Sequence, residues 1–245
     1  MLIRRPPLVA YLLAGLLFVT TALPVSSQAL DDLPFEKKLT LAKVGDVDAQ
    51  FEVGLAYEAG AGVLRDEAEA ARWFRQSALQ GNLDAQYRLA RLVVRGAAGL
   101  KQDKLAAIKL YQDAAARGHA AAMNALGLAY QTGDGVELDL ELAAAWYGKA
   151  AELDLADAQN NLGMLYLEGK GVPRNLAKAY YFFERAASQN DPWGLNNLGG
   201  MLEMGWGTTA DRRRALDLYQ QALAAGNNMA QQNIDRLSVA PANAE

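Results

Sequence analysis

The stretch AQNNLGMLYLEGKG, Ala158 to Gly171, comes back 36 residues later as GLNNLGGMLEMGWG, Gly194 to Gly207. Asn is a mediocre helix former because its amide competes with the backbone for hydrogen bonds. Two adjacent Asn recurring in register inside an apolar pattern therefore point to a repeated unit. The small residue that opens each unit falls at Ala49, Ala85, Ala122, Ala158 and Gly194, with a partial copy at Ala230, at spacings of 36, 37, 36, 36 and 36. The one long interval comes from an extra residue in GAAGLKQD, Gly96 to Asp103.

Each unit reads as two helices. In the first, small or apolar residues sit at offsets 0, 4, 5 and 8 from the opening position, as in Ala49, Val53, Gly54 and Tyr57 or Ala158, Leu162, Gly163 and Tyr166. These offsets share one helical face. A Gly-x-Gly-Val turn follows from Gly60, Gly133 and Gly169, and then an Asp or Asn placed to cap the second helix: Asp66, Asp103, Asp139, Asn175, Asp211. Positions 4, 8 and 12 beyond that cap form the second stripe, as in Ala143, Tyr147 and Ala151. Gly81, Gly118 and Gly226 suit a left-handed stop to the second helix, and Asp46, Asn82, Asp191 and Asn227 are placed to cap the next first helix. Gly54, Gly127, Gly163 and Gly199 fall inside first helices, with Ala90 in the same column. Each Gly costs about 1 kcal/mol against Ala there, so the column predicts a close helix crossing.

A unit of this length cannot bury its two stripes alone, whereas stacked neighbours can. The expected fold is all-α: a solenoid of five helix-pair repeats over residues 46–237. Leu33 to Gly45 supplies only a second helix and Ala230 to Leu237 only part of a first one, and both read as end caps. ALGLAYQTGDGVELDLELAAAWYGKAAELD, from Ala125, resembles the Sel1-like repeat, a relative of the tetratricopeptide repeat, nearly throughout. The resemblance covers residues 46 to 237. It implies that the solenoid is a right-handed α-solenoid with a concave face lined by first helices, and that the chain is a non-catalytic adaptor that binds other proteins in signalling or envelope assembly.

The chain ends read differently. Arg4 and Arg5, the apolar run Leu8 to Val19 and the small residues up to Ala29 have the layout of a secretory signal peptide. Residues 1–29 are assigned to it, with cleavage after Ala29, or after Ser27 as the alternative. The apolar core is about a dozen residues, short of the roughly 20 that span a bilayer. Residues 30–45 form the N-terminal cap and residues 238–245 a loose tail. Without Cys the chain has no disulfide, lipobox or thiolate metal site. After cleavage 22 basic residues face 28 acidic ones, a net charge of −6. That balance disfavours nucleic acid and anionic lipid as partners. An exported protein, placed in the periplasm by the resemblance, is expected.

Candidate binding residues are those that depart from the repeat pattern. Offsets 2 and 3 lie off the core stripe, and from the third unit onward they hold Asn124, Asn160, Asn161, Asn196, Asn197 and Asn233, interrupted by Ala125. Units one and two place Phe51, Glu52, Tyr87 and Arg88 there. Two readings stay open. The amides pair with the backbone of an extended partner segment, or they bond a neighbouring helix. The resemblance to tetratricopeptide domains that grip peptides with Asn suggests the groove role for Asn161 and Asn197. Tyr180, Tyr181, Trp193 and Trp206 are additional aromatics in units four and five. They read as binding-site aromatics or as packing onto the terminal helix. As stacking platforms they define the alternative function, a module for peptidoglycan or exopolysaccharide. Arg212 to Arg214 crowd a helix N-terminus, against the macrodipole, and hint at an acidic partner. His119 has no convergent partners for catalysis, and no nucleophile elbow, phosphate loop or metal-spaced cluster is present. No enzymatic activity, cofactor or metal is expected.

Overall fold

The computed structural model describes residue 30, residues 32–96 and residues 102–239. The signal peptide assigned to residues 1–29, the 97–101 segment and residues 240–245 of the tail lie outside the described residues; the first two residues of that tail, Ser238 and Val239, are helical rather than loose. Within them the chain forms twelve helices and no strand: α1 Phe35–Lys43, α2 Val47–Ala59, α3 Glu67–Leu79, α4 Leu83–Arg95, α5 Lys104–Ala116, α6 Ala120–Thr132, α7 Leu140–Glu152, α8 Ala156–Glu168, α9 Leu176–Ser188, α10 Pro192–Met204, α11 Arg212–Ala224 and α12 Ala230–Val239. Each packs on its neighbours in sequence, and first helices also touch across the stack, α2 with α4 and α8 with α10. This is an all-α solenoid. Helices α2, α4, α6, α8, α10 and α12 are first helices of their units.

The helix boundaries follow the capping residues. Asp66, Asp103, Asp139, Asn175 and Asp211 each accept a backbone N–H from the first turn of the second helix. Asp46, Asn82 and Asp191 do the same for first helices. His119 caps α6, its Nδ1 accepting the Ala122 N–H at 3.0 Å, while Leu155 leaves α8 without a side-chain cap. All five full first helices end on a Gly with φ between +65° and +75°. Second helices stop at the left-handed Gly81, Gly118 and Gly226, but Asp154 and Asn190 occupy that column in units three and four with φ of 63° and 61°. Asp and Asn are the non-glycine residues that best tolerate this region.

The core follows from the two stripes. Phe74, Tyr147, Phe183 and Tyr219 from the second helices are buried. A Cβ on Gly54, Gly127, Gly163 or Gly199 would stand 2.6–2.8 Å from those rings, one Gly to each ring in that order. The recurring Gly is thus a seat for the aromatic ring of its own unit. Burial of each such ring contributes about 1.5–3 kcal/mol, which outweighs the helix-propensity cost. In unit two Ala90 faces Tyr111, so a methyl group is accommodated there.

Candidate functional site

Both amide columns lie half-buried on the first-helix face, and they are joined. Asn161 Nδ2 donates to Asn124 Oδ1 at 3.0 Å, Asn197 to Asn160 at 2.8 Å, and Asn233 to Asn196 at 2.9 Å. In each case the offset-3 amide of one unit reaches the offset-2 amide of the unit before it. The ladder therefore clips α6, α8, α10 and α12 together. It stops at Ala125, where Tyr87 of the preceding unit packs on Tyr111 and His119 instead. Between α2 and α4 an ion pair takes its place, with Arg88 Nη1 on Glu58 Oε2 at 3.0 Å.

The ladder runs into a charged terminus. Arg236 donates to Asn233 Oδ1 at 3.1 Å and grips both carboxylate oxygens of Glu203, and Tyr219 OH donates to Glu203 at 2.9 Å. Arg236 holds the Glu203 carboxyl below the usual carboxylate range, with the Tyr219 hydroxyl helping. Burial pushes the Tyr219 phenol up, as does the facing Glu203 carboxylate. Asn196, Asn197, Asn233, Glu203, Arg236, Tyr219, Trp206, Met201, Met204 and Leu167 line a cavity of about 250 Å³ between α8, α10 and α12. Of the sequence candidates, this cavity brings together Asn196, Asn197 and Trp206, with Asn233 of the same amide columns.

The other aromatics do not join it. Trp193 and Trp206 flank opposite ends of α10 and are 48% and 41% exposed. A separation of 13 residues along a helical path is about 20 Å. Tyr180 packs half-buried against the cluster of α9, α10 and α11 that includes Leu218. Tyr181 is exposed and edges onto Phe182, with the Arg185 guanidinium 5.8 Å from its ring centre. The four aromatics thus do not make one stacking surface.

A further polar column was not singled out in the sequence. Gln50, Gln86 and Gln159 at offset 1 are buried. Gln50 donates to Ala42 O and Gln86 to Leu110 O, while Gln159 donates to Asp154. Gln50 and Gln159 also accept from Gln80 and Gln189, the residues that end α3 and α9. Gln50 thereby satisfies a carbonyl at the end of α1, Gln86 bonds the middle of α5 within its own unit, and Gln159 ties α8 to the residue that stops α7. The 36-residue recurrence of the Gln was the signal for them, and Met123 and Leu195 break it. Asp154, besides stopping α7, accepts from Arg185 at 2.7 Å, which holds its carboxyl below the usual range.

The Sel1 repeat pattern matches residues 47–82, 83–119, 120–155, 156–191 and 194–227. Among solved structures, a protective antigen present in uropathogenic Escherichia coli strains is 34% identical with a TM-score of 0.72, covering 86% of this chain and 44% of that one. A Sel1 repeat protein from Oxalobacter formigenes is 32% identical with a TM-score of 0.75, covering 83% and 58%. The chain thus spans about half the length of these two relatives. An immunity protein from Pseudomonas aeruginosa, 20% identical over 88% of this chain and 86% of its own, with a TM-score of 0.57, shares the fold. No curated protein matches the chain. Five consecutive matches, each covering one pair of helices, four of them with the Gly seat and its aromatic ring and the second with Ala90 in the Gly column, place the chain in the Sel1 repeat family.

Proposed function

We propose that the chain is a non-enzymatic adaptor of the cell envelope, exported to the periplasm, that binds an extended segment of a partner protein along its first-helix face. Sel1 repeat proteins generally mediate protein–protein interaction. The observation that carries the finer reading is what the amide ladder leaves unspent. Each bond uses one N–H and one oxygen. Among the described residues, Nδ2 of Asn124, Asn160 and Asn196 and Oδ1 of Asn161 and Asn197 have no further partner. The face therefore offers amide donors and acceptors in alternation. Neighbouring helices stand about 8–10 Å apart, and three residues of extended chain span about 10 Å. One unit then meets three partner residues, and the main chain of the segment supplies the matching C=O and N–H groups.

The test is capture of a partner from envelope extract by the wild-type chain and by the Asn161→Ala, Asn197→Ala double variant. Removing the two ladder bonds is expected to cost about 1 kcal/mol each, leaving the helices intact by circular dichroism while capture is lost. Capture at wild-type level by a folded double variant would remove the groove reading. The glycan alternative retains one supporting feature, Trp206 at the mouth of the 250 Å³ cavity. It predicts quenching of Trp fluorescence by peptidoglycan or exopolysaccharide fragments, abolished in Trp206→Ala. No quenching at saturating glycan rules it out.

A further inference from the structure

The cavity beside Trp206 opens at an edge whose charge is opposite to that of the chain. The whole sequence carries a net charge of −4. The openings of the second helices show where the charge changes. Helix α3 has Glu67 and Glu69 in its first turn and α7 has Glu141; α5 opens without an acid but its Lys104 pairs with Asp134, and α9 and α11 have no acid there. In their place stand the exposed Arg174 and Lys178 and the exposed Arg212, Arg213 and Arg214. None of these five makes an ion pair with an acid among the described residues. Four of them sit where the positive end of a helix dipole makes a further cation unfavourable, and the fold draws no compensating pair from itself.

Local contacts tie this edge to the cavity. Arg174 Nε donates at 3.1 Å to the carbonyl of Leu167, a cavity wall residue. Arg212 lies within electrostatic reach of Glu203, another wall residue. Trp206 is held between Gly205 and Gly207, its N–H on Met201 O at 2.9 Å. A Cβ on Gly207 would come 2.5 Å from Leu176 O, so the loop lies directly on the start of α9. Lys178 reaches the Tyr166 hydroxyl at 3.4 Å and stands 4.8 Å over its ring. One surface therefore holds a cavity with Leu167, Met201 and Met204 among its amide and charged walls, an exposed indole and five cations without carboxylate partners among the described residues. Inside the cavity, Glu203 is already neutralised by Arg236.

We propose that the segment bound by this chain is acidic: an apolar side chain enters the cavity beside Trp206, and flanking Asp and Glu carboxylates lie on Arg174, Lys178 and Arg212–Arg214. The inference rests on the adaptor reading and adds the chemistry of the partner. Carboxylates there would also complement the helix N-termini that the Arg side chains oppose.

The experiment selects peptides of about twelve residues from a random displayed library on the full chain. The same selection runs on a variant carrying Arg174→Ser, Arg212→Ser, Arg213→Ser and Arg214→Ser, whose melting point should not fall much below the wild-type value, because all four side chains are exposed and three of them oppose a helix dipole. Enrichment of Asp- and Glu-rich peptides centred on an apolar residue is expected. The best of them, measured by fluorescence anisotropy, should bind the variant roughly tenfold more weakly and lose affinity as salt rises. Neutral or basic peptides, or acidic ones held equally by the variant, overturn the acidic inference. If those peptides are lost on the Asn161→Ala, Asn197→Ala chain, the adaptor reading still stands. Failure to enrich any peptide overturns both. Binding of phosphatidylglycerol vesicles without acidic peptides would overturn the proposal in favour of a lipid surface.

Discussion

At the scale of single residues, this solenoid depends on positions where one atom more or less decides the packing. Gly163→Ala would set a Cβ 2.7 Å from the Phe183 ring. Helix propensity favours that change by about 1 kcal/mol and overpacking opposes it by about 1–3 kcal/mol. Net destabilisation of up to about 2 kcal/mol is expected in chemical denaturation, relieved when Phe183→Leu is added, so that a double-mutant cycle shows coupling. The two non-glycine helix stops should also part ways. Asn190→Gly removes a left-handed strain and is expected to stabilise by about 0.5–1 kcal/mol. Asp154→Gly gains the same relief but strips Arg185 and Gln159 of their acceptor, and is expected to gain less or to lose. Equal melting shifts for the two would contradict this account.

Two carboxyls at the same scale give opposite pH signatures. Glu203 is held low by Arg236, so its contribution to stability is present above the unfolded carboxylate range and is lost as pH falls through its depressed value. Glu203→Gln should therefore cost about 1–2 kcal/mol at neutral pH and nothing in strong acid. Asp191 is pushed up by burial, with Asp157 adding repulsion, although it caps α10 through the Gly194 N–H. Its ionisation works against folding, so the stability linked to it declines as pH rises through its raised value. Asn is an equally good cap. Asp191→Asn is expected to match or exceed the wild-type melting temperature at neutral pH, and the advantage should shrink on acidification. Melting curves from acid to neutral pH check both signs.

At the scale of helices, the repeat is a docking unit whose ends differ in chemistry. Caps set each helix start, and His119 shows how tolerant that column is. Its Nδ1 serves as acceptor while Nε2 faces Asp84 at 3.1 Å. His119→Ala is expected to cost about 1 kcal/mol and His119→Asn little, read from denaturant midpoints. Between first helices, the three consecutive amide bonds are local clips, each of the order of 1 kcal/mol. The sequence showed the two Asn columns but not their partnership. An offset of 2 in one unit meets an offset of 3 in the next only because of how far one helix is shifted along its neighbour, a quantity that no periodicity within a unit carries. The Tyr180 environment was hidden for a similar reason: its packing on α11 depends on the approach of two second helices.

At the scale of the whole molecule, α12 differs from the first helices before it. Its column positions have changed character: Asp235 stands where Gly54, Gly127, Gly163 and Gly199 seat an aromatic ring. Its exposed face carries Gln231, Gln232 and Asp235, with Gln231 bonded to Asp235 at 2.7 Å. A polar face of this kind is what a capping helix requires, and truncation tests that role. Beneath it Ala230 is buried, and Ile234 and Leu237 pack on the α9–α11 core. A chain ending at Met229 should lose at least about 2 kcal/mol and expose that apolar surface. A lower melting temperature with association by size-exclusion chromatography is the expected outcome, and an unchanged monomer would show that α12 is no cap.

Periodicity, capping residues and the Gly column were enough to establish from the sequence alone the all-α repeat, its unit boundaries and the close crossing within each unit. All of these are encoded within a window of about one repeat, where local hydrogen bonding and the 3.6-residue period act. What only the tertiary structure decided is what happens between units. Asn161 meets Asn124, buried Gln159 accepts from Gln189, Glu203 and Arg236 terminate the ladder, and Trp206 but not Trp193 lines the cavity beside Asn197. Those contacts join residues some 30–37 positions apart. They depend on the relative placement of whole helices, which is set by the summed packing of many side chains rather than by any one of them.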